Sequence, residues 1–245
     1  MDYDDFAWLY NRHWKDQFTP VALAVLDRLV VPGISSNSRI LDLCCGTGQL
    51  AQTLCQRGYV VTGLDGSSEM LEFARENAPG VEFIIDDARY FRLPAEYDVV
   101  ISMFDALNHV MSIDELTEVF RNVFNCLKPA GLFLFDMNLE PGYIANWNGY
   151  HGFIEDDHVC VFPNSYDPEN HTGKIDFTLF RLDDGEWRRS NFTLTQKCYP
   201  HEELLAALRK AGFAEIEDYS YDRKNGLGAL TPASIRAFFL CRKNP

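Results

Sequence analysis

Five short apolar runs alternate with helical segments in the first half of this chain, and this alternation limits the fold more than any other feature. The runs cover residues 39–43, 59–64, 81–85, 97–103 and 132–137. Near-continuous apolar strands separated by helices are typical of a parallel sheet that is covered on both faces. The sequence therefore predicts a doubly wound α/β fold with a mostly parallel sheet.

The remaining segments predict additions to that sheet. Residues 2–31 are expected to form two helices, which Pro32-Gly33 ends. After Asn138, three predicted strands are separated by turn-rich stretches, which favours antiparallel pairing. A helix and two closing strands complete the chain, so that the main sheet has seven strands. The predicted ranges are 152–162, 174–182 and 186–199 for the insert, 200–212 for the helix, and 214–221 and 234–243 for the closing strands.

The balance of charge limits the classes of partner. The chain has 22 basic and 36 acidic residues, a formal net charge of −14. Non-specific binding to nucleic acid, or to an anionic membrane surface, needs a cationic face. We therefore expect no nucleic-acid or membrane partner. No apolar run approaches the roughly 20 residues of a membrane span.

The cysteines and the N-terminus indicate the compartment. The seven cysteines are odd in number and do not follow zinc-ligand spacing, which fits reduced thiols. The opening MDYDDFAWLYNRHW is acidic and aromatic, unlike a signal peptide. We therefore expect a cytoplasmic protein, either a monomer or a homodimer.

The segment 39–54, RILDLCCGTGQLAQTL, joins a predicted strand to a helix through a glycine-bearing turn. Gly46 and Gly48 permit a tight turn and let a ligand approach the first N–H groups of the helix. With Ala51 they also satisfy the dinucleotide fingerprint G-x-G-x-x-A, so the turn alone leaves two cofactor classes open. Asp42, four residues before Gly46, suits a cationic ammonium group better than a pyrophosphate.

The string DLCCGTG resembles the first motif of class I S-adenosylmethionine-dependent methyltransferases, and the resemblance continues through residues 39–138. It implies that Asp65 accepts hydrogen bonds from both ribose hydroxyls and that Met70 packs near the adenine. In the pair Asp87-Ala88, the acid would read the adenine amino group. The cofactor-binding residues predicted in this way are Tyr10, Asp42, Cys44, Gly46, Gly48, Asp65, Gly66, Met70, Asp87, Ala88, Met103 and Phe104.

Among these enzymes, the chain most resembles small-molecule methyltransferases with an antiparallel insert after the fifth strand, such as sugar-amine N,N-dimethyltransferases. The opening YDDFAWLYN is similar to their N-terminal helix, which closes over the cofactor. This similarity would place Tyr3 and Tyr10 there. The usual Tyr-Asp of the family is Tyr10-Asn11 in this chain, so the role of that acid is not carried over.

The segment that follows the fourth strand, residues 104–109, is expected to act on the acceptor. The resemblance implies that Met103 and Phe104 lie beside the methyl group. Ligands of open α/β sheets bind at the carboxyl ends of strands. We therefore predict His109 as a general base and Asp105 as the group that orients a substrate ammonium. The alternative is that Asn108 and His109 bond backbone groups near the following helix.

A metal ion is not expected, although one pattern resembles a metal site. Asp105, Asp136 and Asn138 are similar to the magnesium ligands of catechol O-methyltransferases, but there the second acid and the asparagine are adjacent. The histidines of the insert lack ligand spacing and are expected on the surface. The insert's aromatic residues fit a core or an acceptor wall equally well. These histidines are His151, His158 and His171, and these aromatic residues are Trp147, Tyr150, Phe153 and Tyr166.

The resemblance implies an enzyme that transfers a methyl group from S-adenosylmethionine to a small molecule, at nitrogen or at oxygen, by in-line displacement. Orientation can supply roughly 7–11 kcal/mol, so the sequence need not contain a catalytic triad. Three alternatives are an NAD-dependent oxidoreductase, a nucleic-acid methyltransferase and a non-catalytic cofactor-binding protein. The single expected domain contains cap helices at 1–33, a cofactor-binding core at 39–138, the antiparallel insert at 139–199, and a closing helix and strands at 200–245.

Overall fold

The computed structural model describes residues 2–15, 17–222 and 224–244, with side chains from Phe6 onward. The helices are α1 (Asp2–His13), α2 (Thr19–Leu29), α3 (Gln49–Gln56), α4 (Ser68–Asn77), α5 (Ile113–Cys126), α6 (Glu140–Asn146) and α7 (His201–Ala211). The strands are β1 (Arg39–Leu43), β2 (Val60–Asp65), β3 (Glu82–Ile85), β4 (Tyr97–Ser102), β5 (Leu127–Asn138), β6 (Gly149–Ile154), β7 (His158–Asp167), β8 (Thr172–Asp183), β9 (Glu186–Lys197), β10 (Glu215–Asp222), β11 (Gly226–Gly228) and β12 (Arg236–Arg242).

The main sheet has the strand order β11-β10-β12-β5-β4-β1-β2-β3. Strands β1 to β5 are parallel to their neighbours within this group. Strand β12 pairs antiparallel with β5, and β10 pairs antiparallel with β12. The chain leaves β1 toward β2 on one side and later returns to β4 on the other. This reversal opens a crevice at the carboxyl ends of β1 and β4, where such sheets bind ligands.

Helices cover both faces of this sheet, as the apolar strands require. On one face, α5 and α7 pack over the fully buried rings of Phe133 and Phe135. On the other face, α2 and α3 pack over Ile101 and Leu134. Helix α5 begins at a cap, because the Ser112 hydroxyl accepts the backbone N–H of Glu115. No helix within the described ranges is both long enough and apolar enough to cross a membrane.

The predicted α/β fold is confirmed, and the sheet carries one strand more than the seven expected. The extra strand is β11, a three-residue segment that pairs antiparallel with β10 at the edge. Its sequence, Gly-Leu-Gly, is too short to carry a strand pattern. Residues 128–131, Lys-Pro-Ala-Gly, lie inside β5. Ala130 adopts a left-handed backbone there, with φ +61°, and the pairing with β4 is irregular opposite it.

The insert is a four-stranded antiparallel sheet in the order β6-β7-β8-β9, preceded by α6. The prediction of three strands was wrong, because the first expected strand, 152–162, contains a reversal. Residues 155–157, Glu-Asp-Asp, form the turn that separates β6 from β7. One face of this sheet packs against α1, where the rings of Phe6 and Phe177 lie 5.3 Å apart. The insert therefore lies against the N-terminal helix.

His158 is fully buried, whereas the sequence predicted a surface position. The alternation of β7 turns its side chain toward α1. Its Nδ1 donates to the Asp157 carboxylate over 2.7 Å, and its Nε2 lies 2.7 Å from Nε2 of His13 on α1. The two facing nitrogens share one proton, since two N–H groups there would repel. His158 therefore joins the insert to α1 only while the pair carries at most one positive charge.

This histidine pair predicts that the protein loses stability as the pH falls from about 7 to about 5. Burial and the neighbouring His158 lower the pKa of His13. The unfolded chain, with a histidine pKa of about 6.5, therefore takes up the proton more readily than the folded chain. The stabilising contribution is complete above that pKa and declines as the pH falls toward the lowered one. We expect the melting temperature of His13→Phe to depend less on pH in this window.

Calorimetric melting curves at several pH values check this expectation. The phenylalanine can still stack on Phe153, whose ring lies 3.9 Å from that of His13 in the native protein. His151→Asn, at an exposed position on β6, is the control and is expected to keep the native pH dependence. Parallel curves for His13→Phe and the native protein would contradict the prediction.

Candidate active site

A cavity of about 490 Å³ lies at the carboxyl ends of the parallel strands. The turns after β1, β2 and β3 line one half of it. The segment after β4 and the insert strands β8 and β9 line the other half, and residues of α1 contribute to both. The predicted site residues that line this cavity are Tyr10, Cys44, Gly46, Asp65, Gly66, Met70, Asp87, Ala88, Met103, Phe104, Asp105 and His109. Asp42 and Gly48 lie behind this lining.

The turn after β1 has a backbone that favours glycine. Gly46 and Gly48 have φ values of +54° and +82°, in the left-handed region that side chains disfavour. A Cβ atom on Gly46 would lie 3.6 Å from the ring of Tyr10, so α1 rests directly on the turn. A Cβ atom on Gly48 would lie 3.1 Å from the Cβ of Ala74 in α4. Gly48 thus permits close packing of α4 behind the turn.

Asp65, at the end of β2, connects two turns of the site. Its Oδ2 accepts the backbone N–H of Gly46 over 2.8 Å, and its Oδ1 accepts that of Ser67 over 2.9 Å. Backbone donors of this kind stabilise the ionised carboxylate and fix its orientation. A carboxylate has about four lone-pair positions and can accept several hydrogen bonds at once. Asp65 can therefore also accept hydroxyl groups of a ligand.

Asp42, at the carboxyl end of β1, is a buried acid behind the glycine turn. Its side chain is 2% exposed, and its Oδ2 has no hydrogen-bond partner among the described residues. Burial raises the pKa of Asp42 to about 7, and the nearby Asp65 carboxylate adds to the rise. A buried carboxylate oxygen of this kind gains from a cationic group at the turn.

The turn after β3 holds its acid with an arginine. Asp87 lines the cavity, and the guanidinium of Arg89 binds both of its oxygens, at 2.6 and 3.0 Å. Arg89 also contacts Glu115 at the start of α5. The hydrogen bond from Arg89 lowers the pKa of Asp87, which stays ionised. Met70 and Ala88 supply apolar surface in the same half of the cavity.

The segment after β4 has a strained backbone that a buried acid supports. Phe104 and Asp105 both have left-handed φ values, +66° and +49°. The carboxylate of Asp136, at the end of β5, accepts the backbone N–H groups of both residues. Arg236 of β12 pairs with Asp136 through one nitrogen and with Asp105, at 2.7 Å, through the other. These contacts fix the Asp105 carboxylate at the cavity wall.

The charges of this ion triad are strongly coupled. Burial raises the pKa of Asp136 to about 6, against the opposing effect of Arg236. Burial alone would lower the pKa of Arg236, but Asp105 and Asp136 together raise it. A guanidinium therefore occupies the position between the two acids where a magnesium ion would have to bind. Within the described residues, no three metal-ligating side chains are grouped to hold an ion.

His109 lines the cavity and is also hydrogen-bonded to the insert. Its Nδ1 lies 2.8 Å from the carbonyl oxygen of Thr195, and its Nε2 lies 3.0 Å from Nε2 of Gln196. Burial lowers the pKa of His109, although the Asp105 carboxylate opposes this effect. Asn108 does not reach the cavity. It bonds the backbone of Asn138 and Lys197, at the ends of β5 and β9, rather than backbone groups near the following helix as the alternative interpretation expected.

Arg89, Gln196 and Arg236 are polar residues of the site that the sequence did not predict. The sequence contained a signal for Arg236, because it is a charged residue directly before the apolar run AFFLC of the last strand. Gln196 offered none, because glutamine is ordinary in an antiparallel strand. Arg89 lies two residues after Asp87, and only the fold shows that it turns back onto that acid.

The aromatic residues of the insert have different roles. Trp147 lines the cavity beside Phe162 and Phe177, whereas Tyr150 is 84% exposed. Phe153 and Tyr166 pack against other rings of the insert and of the neighbouring helices. The insert thus supplies both a core and a cavity wall, and neither of the two equal interpretations holds for all four residues. The side chain of Tyr3 lies outside the described residues.

Comparisons with known proteins agree with this architecture. Residues 40–131 match the family described as "Methyltransferase domain". The chain is 28% identical over 222 residues to "Putative methyltransferase YqeM" of Bacillus subtilis (strain 168), covering 87% of each chain. It is 27% identical to the "dTDP-4-amino-2,3,4,6-tetradeoxy-D-glucose N,N-dimethyltransferase" of Saccharopolyspora spinosa, covering 92% of this chain and 88% of that one.

A solved structure extends the likeness to the whole fold. The S-adenosylmethionine-dependent methyltransferase of Clostridium acetobutylicum ATCC 824 superposes with a TM-score of 0.81 at 21% sequence identity, over 99% of both chains. This coverage includes the main sheet, the insert and the N-terminal helices.

Proposed function

We propose that this chain, which is a class I S-adenosylmethionine-dependent methyltransferase acting on a small molecule, transfers the methyl group to a nitrogen atom of its acceptor. The observation that carries this proposal is the Asp105 carboxylate, held at the wall of a largely aromatic half-cavity. A carboxylate in apolar surroundings favours a cationic or N–H-bearing group. The likeness to an amino-sugar N,N-dimethyltransferase supports the same choice.

The residues of the first half of the cavity fit S-adenosylmethionine. Asp42, with its unpartnered oxygen behind the turn, suits the ammonium group of the methionine moiety. Asp65 suits the ribose hydroxyls, and Asp87 suits the adenine amino group, with Met70 and Ala88 as apolar neighbours of the ring. When bound, the cofactor supplies an electrophilic methyl group and leaves as a neutral thioether. We propose these contacts for the residues predicted from the sequence.

The chain then has to align the acceptor and keep water away. Tyr10 and Phe104 both line the cavity, with ring centroids 5.9 Å apart, and these two rings would help to exclude water. Asp105 would bind the acceptor nitrogen. Attack needs that nitrogen unprotonated, and His109 would accept the proton it loses. The lowered pKa of His109 keeps its imidazole neutral, and thus able to accept a proton, near pH 7.

Matched pairs of amines and alcohols test the choice of acceptor atom. We expect the purified protein, supplied with S-adenosylmethionine, to methylate apolar amines and to leave the corresponding alcohols unchanged. Mass spectrometry of the products locates the added methyl group. Asp105→Asn keeps the size of the side chain but removes its charge, and we expect at least about a tenfold loss of kcat/KM for the amine.

The opposite pattern of products would reject the proposal. Methylation of the alcohols alone would place the reaction at oxygen. If Asp105→Asn methylates the amine with the same kcat/KM as the native protein, Asp105 does not bind the acceptor. Asp114→Asn, at an exposed position on α5, is the matched control and is expected to retain full activity.

A further inference from the structure

Gln196, near the end of β9, joins four polar groups around the acceptor half of the cavity. Its side chain is buried, with the residue 3% exposed. Its Oε1 accepts from the Tyr143 hydroxyl at 2.8 Å and from Nδ2 of Asn138 at 3.2 Å. Its Nε2 donates to Oδ2 of Asp105 at 2.5 Å and to Nε2 of His109 at 3.0 Å. One amide therefore spans the insert, the end of β5 and the segment after β4.

The chemistry of the partners fixes the orientation of this amide. The Asp105 carboxylate can only accept, so the Gln196 NH₂ group must face it. The Gln196 carbonyl then faces the Asn138 amide, which donates an N–H to it. The second N–H of the Gln196 NH₂ group points at Nε2 of His109, which must present a lone pair. A flipped Gln196 would set two donors against each other on one side and two acceptors on the other.

The other ring nitrogen of His109 agrees with this assignment. Nδ1 lies 2.8 Å from the carbonyl oxygen of Thr195, and a carbonyl only accepts, so Nδ1 carries the proton. Thr195 and Gln196 are neighbours on β9, and together they bind both edges of the ring. The ring is thus held as the neutral Nδ1–H tautomer. Protonation at Nε2 would bring an N–H group against the Gln196 amide at 3.0 Å.

We propose that Gln196 is a positioning residue that holds His109 as the neutral Nδ1–H tautomer. The Nε2 lone pair of His109 is then available to take a proton from the acceptor. The same Gln196 amide fixes the orientation of the Asp105 carboxylate. The use made of that lone pair rests on the proposed N-methylation, whereas the tautomer itself does not. When an acceptor N–H group replaces the Gln196 N–H at His109, the Nε2 atom of the ring already carries a lone pair that can accept the proton.

Charged and titratable groups around His109 come from four elements. Asp105 lies in the same segment, Asp136 ends β5, Arg236 lies on β12, and Tyr143 lies on α6. The Arg236 guanidinium lies between the two acids, so a single negative charge remains in the triad. That charge favours the imidazolium form of His109. Gln196 opposes this form directly, since it donates to the nitrogen that would have to gain a proton.

Nitrogen NMR of histidine-labelled protein, without cofactor or acceptor, tests the tautomer. The His109 signals are assigned by their loss in His109→Asn. We expect the native His109 ring to stay neutral and protonated at Nδ1 from about pH 8 to about pH 6. Solvent-exposed histidines, with a pKa of about 6.5, become mostly protonated over this range. Gln196→Glu replaces the donor with a carboxylate that accepts from Nε2–H. We expect this change to raise the pKa of His109 by at least about one unit.

Two results would overturn the inference. One is a native ring protonated at Nε2, and the other is a His109 titration that Gln196→Glu leaves unchanged. The signals of His201, which pairs with Asp218 away from the cavity, report whether each variant is folded. If Gln196→Glu does not fold, Gln196→Met takes its place. The methionine removes the donor, so a variant ring that keeps both the native tautomer and the native titration also overturns the inference.

An activity measurement separates this inference from the proposed function. With an amine that the enzyme accepts, Gln196→Glu is expected to move the acidic limb of the kcat/KM profile upward by the same shift as the His109 pKa. A loss of rate at all pH values, with no shift, would indicate a merely structural role and would overturn the inference. If no amine is methylated, the proposed function fails, and the NMR result still decides the tautomer.

Discussion

Replacing Asp65 with alanine is expected to weaken the binding of S-adenosylmethionine by about 100-fold or more. Hydrogen bonds to a charged group each contribute about 1.5–3 kcal/mol, and two lost ribose contacts correspond to at least that factor. The substitution also removes the acceptor for the N–H groups of Gly46 and Ser67, so the glycine turn itself loosens. Calorimetric titration with S-adenosylmethionine and S-adenosylhomocysteine measures the loss.

Two comparisons make this result specific. Asp114→Ala removes one negative charge from an exposed position on α5, and we expect it to bind the cofactor like the native protein. NAD, which shares the adenosine moiety, is expected not to bind the native protein. Unchanged affinity of Asp65→Ala for both adenosyl ligands, or binding of NAD alone, would refute the cofactor contacts that we propose.

Replacing Arg236 with methionine is expected to lower the free energy of unfolding by about 3–5 kcal/mol, because it leaves Asp105 and Asp136 without their shared cation. The Asp136 side chain is 0% exposed, and that of Asp105 is 13% exposed. In the variant, two largely buried carboxylates repel each other, because no cation lies between them. The guanidinium also lies 4.7 Å above the ring of Phe18, a contact that methionine replaces only in part. Urea unfolding measures the change.

A second substitution distinguishes charge from packing. Adding Asp136→Asn to Arg236→Met removes one of the stranded charges, and we expect it to restore part of the lost stability. Arg57→Met breaks an exposed pair with Asp27 and is expected to cost no more than about 1 kcal/mol. If Arg236→Met costs as little as Arg57→Met, the triad does not support the segment after β4.

The cofactor half of the fold could be predicted because its signals are local. These signals are the apolar run of β1, the glycines at 46 and 48, and the acids at the carboxyl ends of β1 and β2. Each lies within a few residues of the turn that it helps to form. A left-handed backbone conformation at a turn favours glycine, wherever the turn lies in the fold. The doubly wound sheet follows from the same short-range pattern of strands and helices.

The acceptor half could not be predicted in the same way, because its partners meet from distant parts of the chain. Arg236 pairs with Asp105 across 131 residues, and Gln196 bonds His109 across 87. The burial of His158 also depends on a partner on α1, 145 residues away. A strand pattern shows which side chains share a face, but it does not show what that face meets.

The insert enters and leaves the main fold at nearby points, and this has a consequence for variation among related proteins. The chain departs after Asn138 and returns at α7, while Asn108 bonds the backbone at both ends of the excursion. Insertions and deletions inside residues 149–197 can therefore reshape the acceptor wall without shifting the register of the parallel strands. Substrate range in such a scaffold can diverge by changes in one contiguous stretch of the gene, while the cofactor half stays under separate constraint.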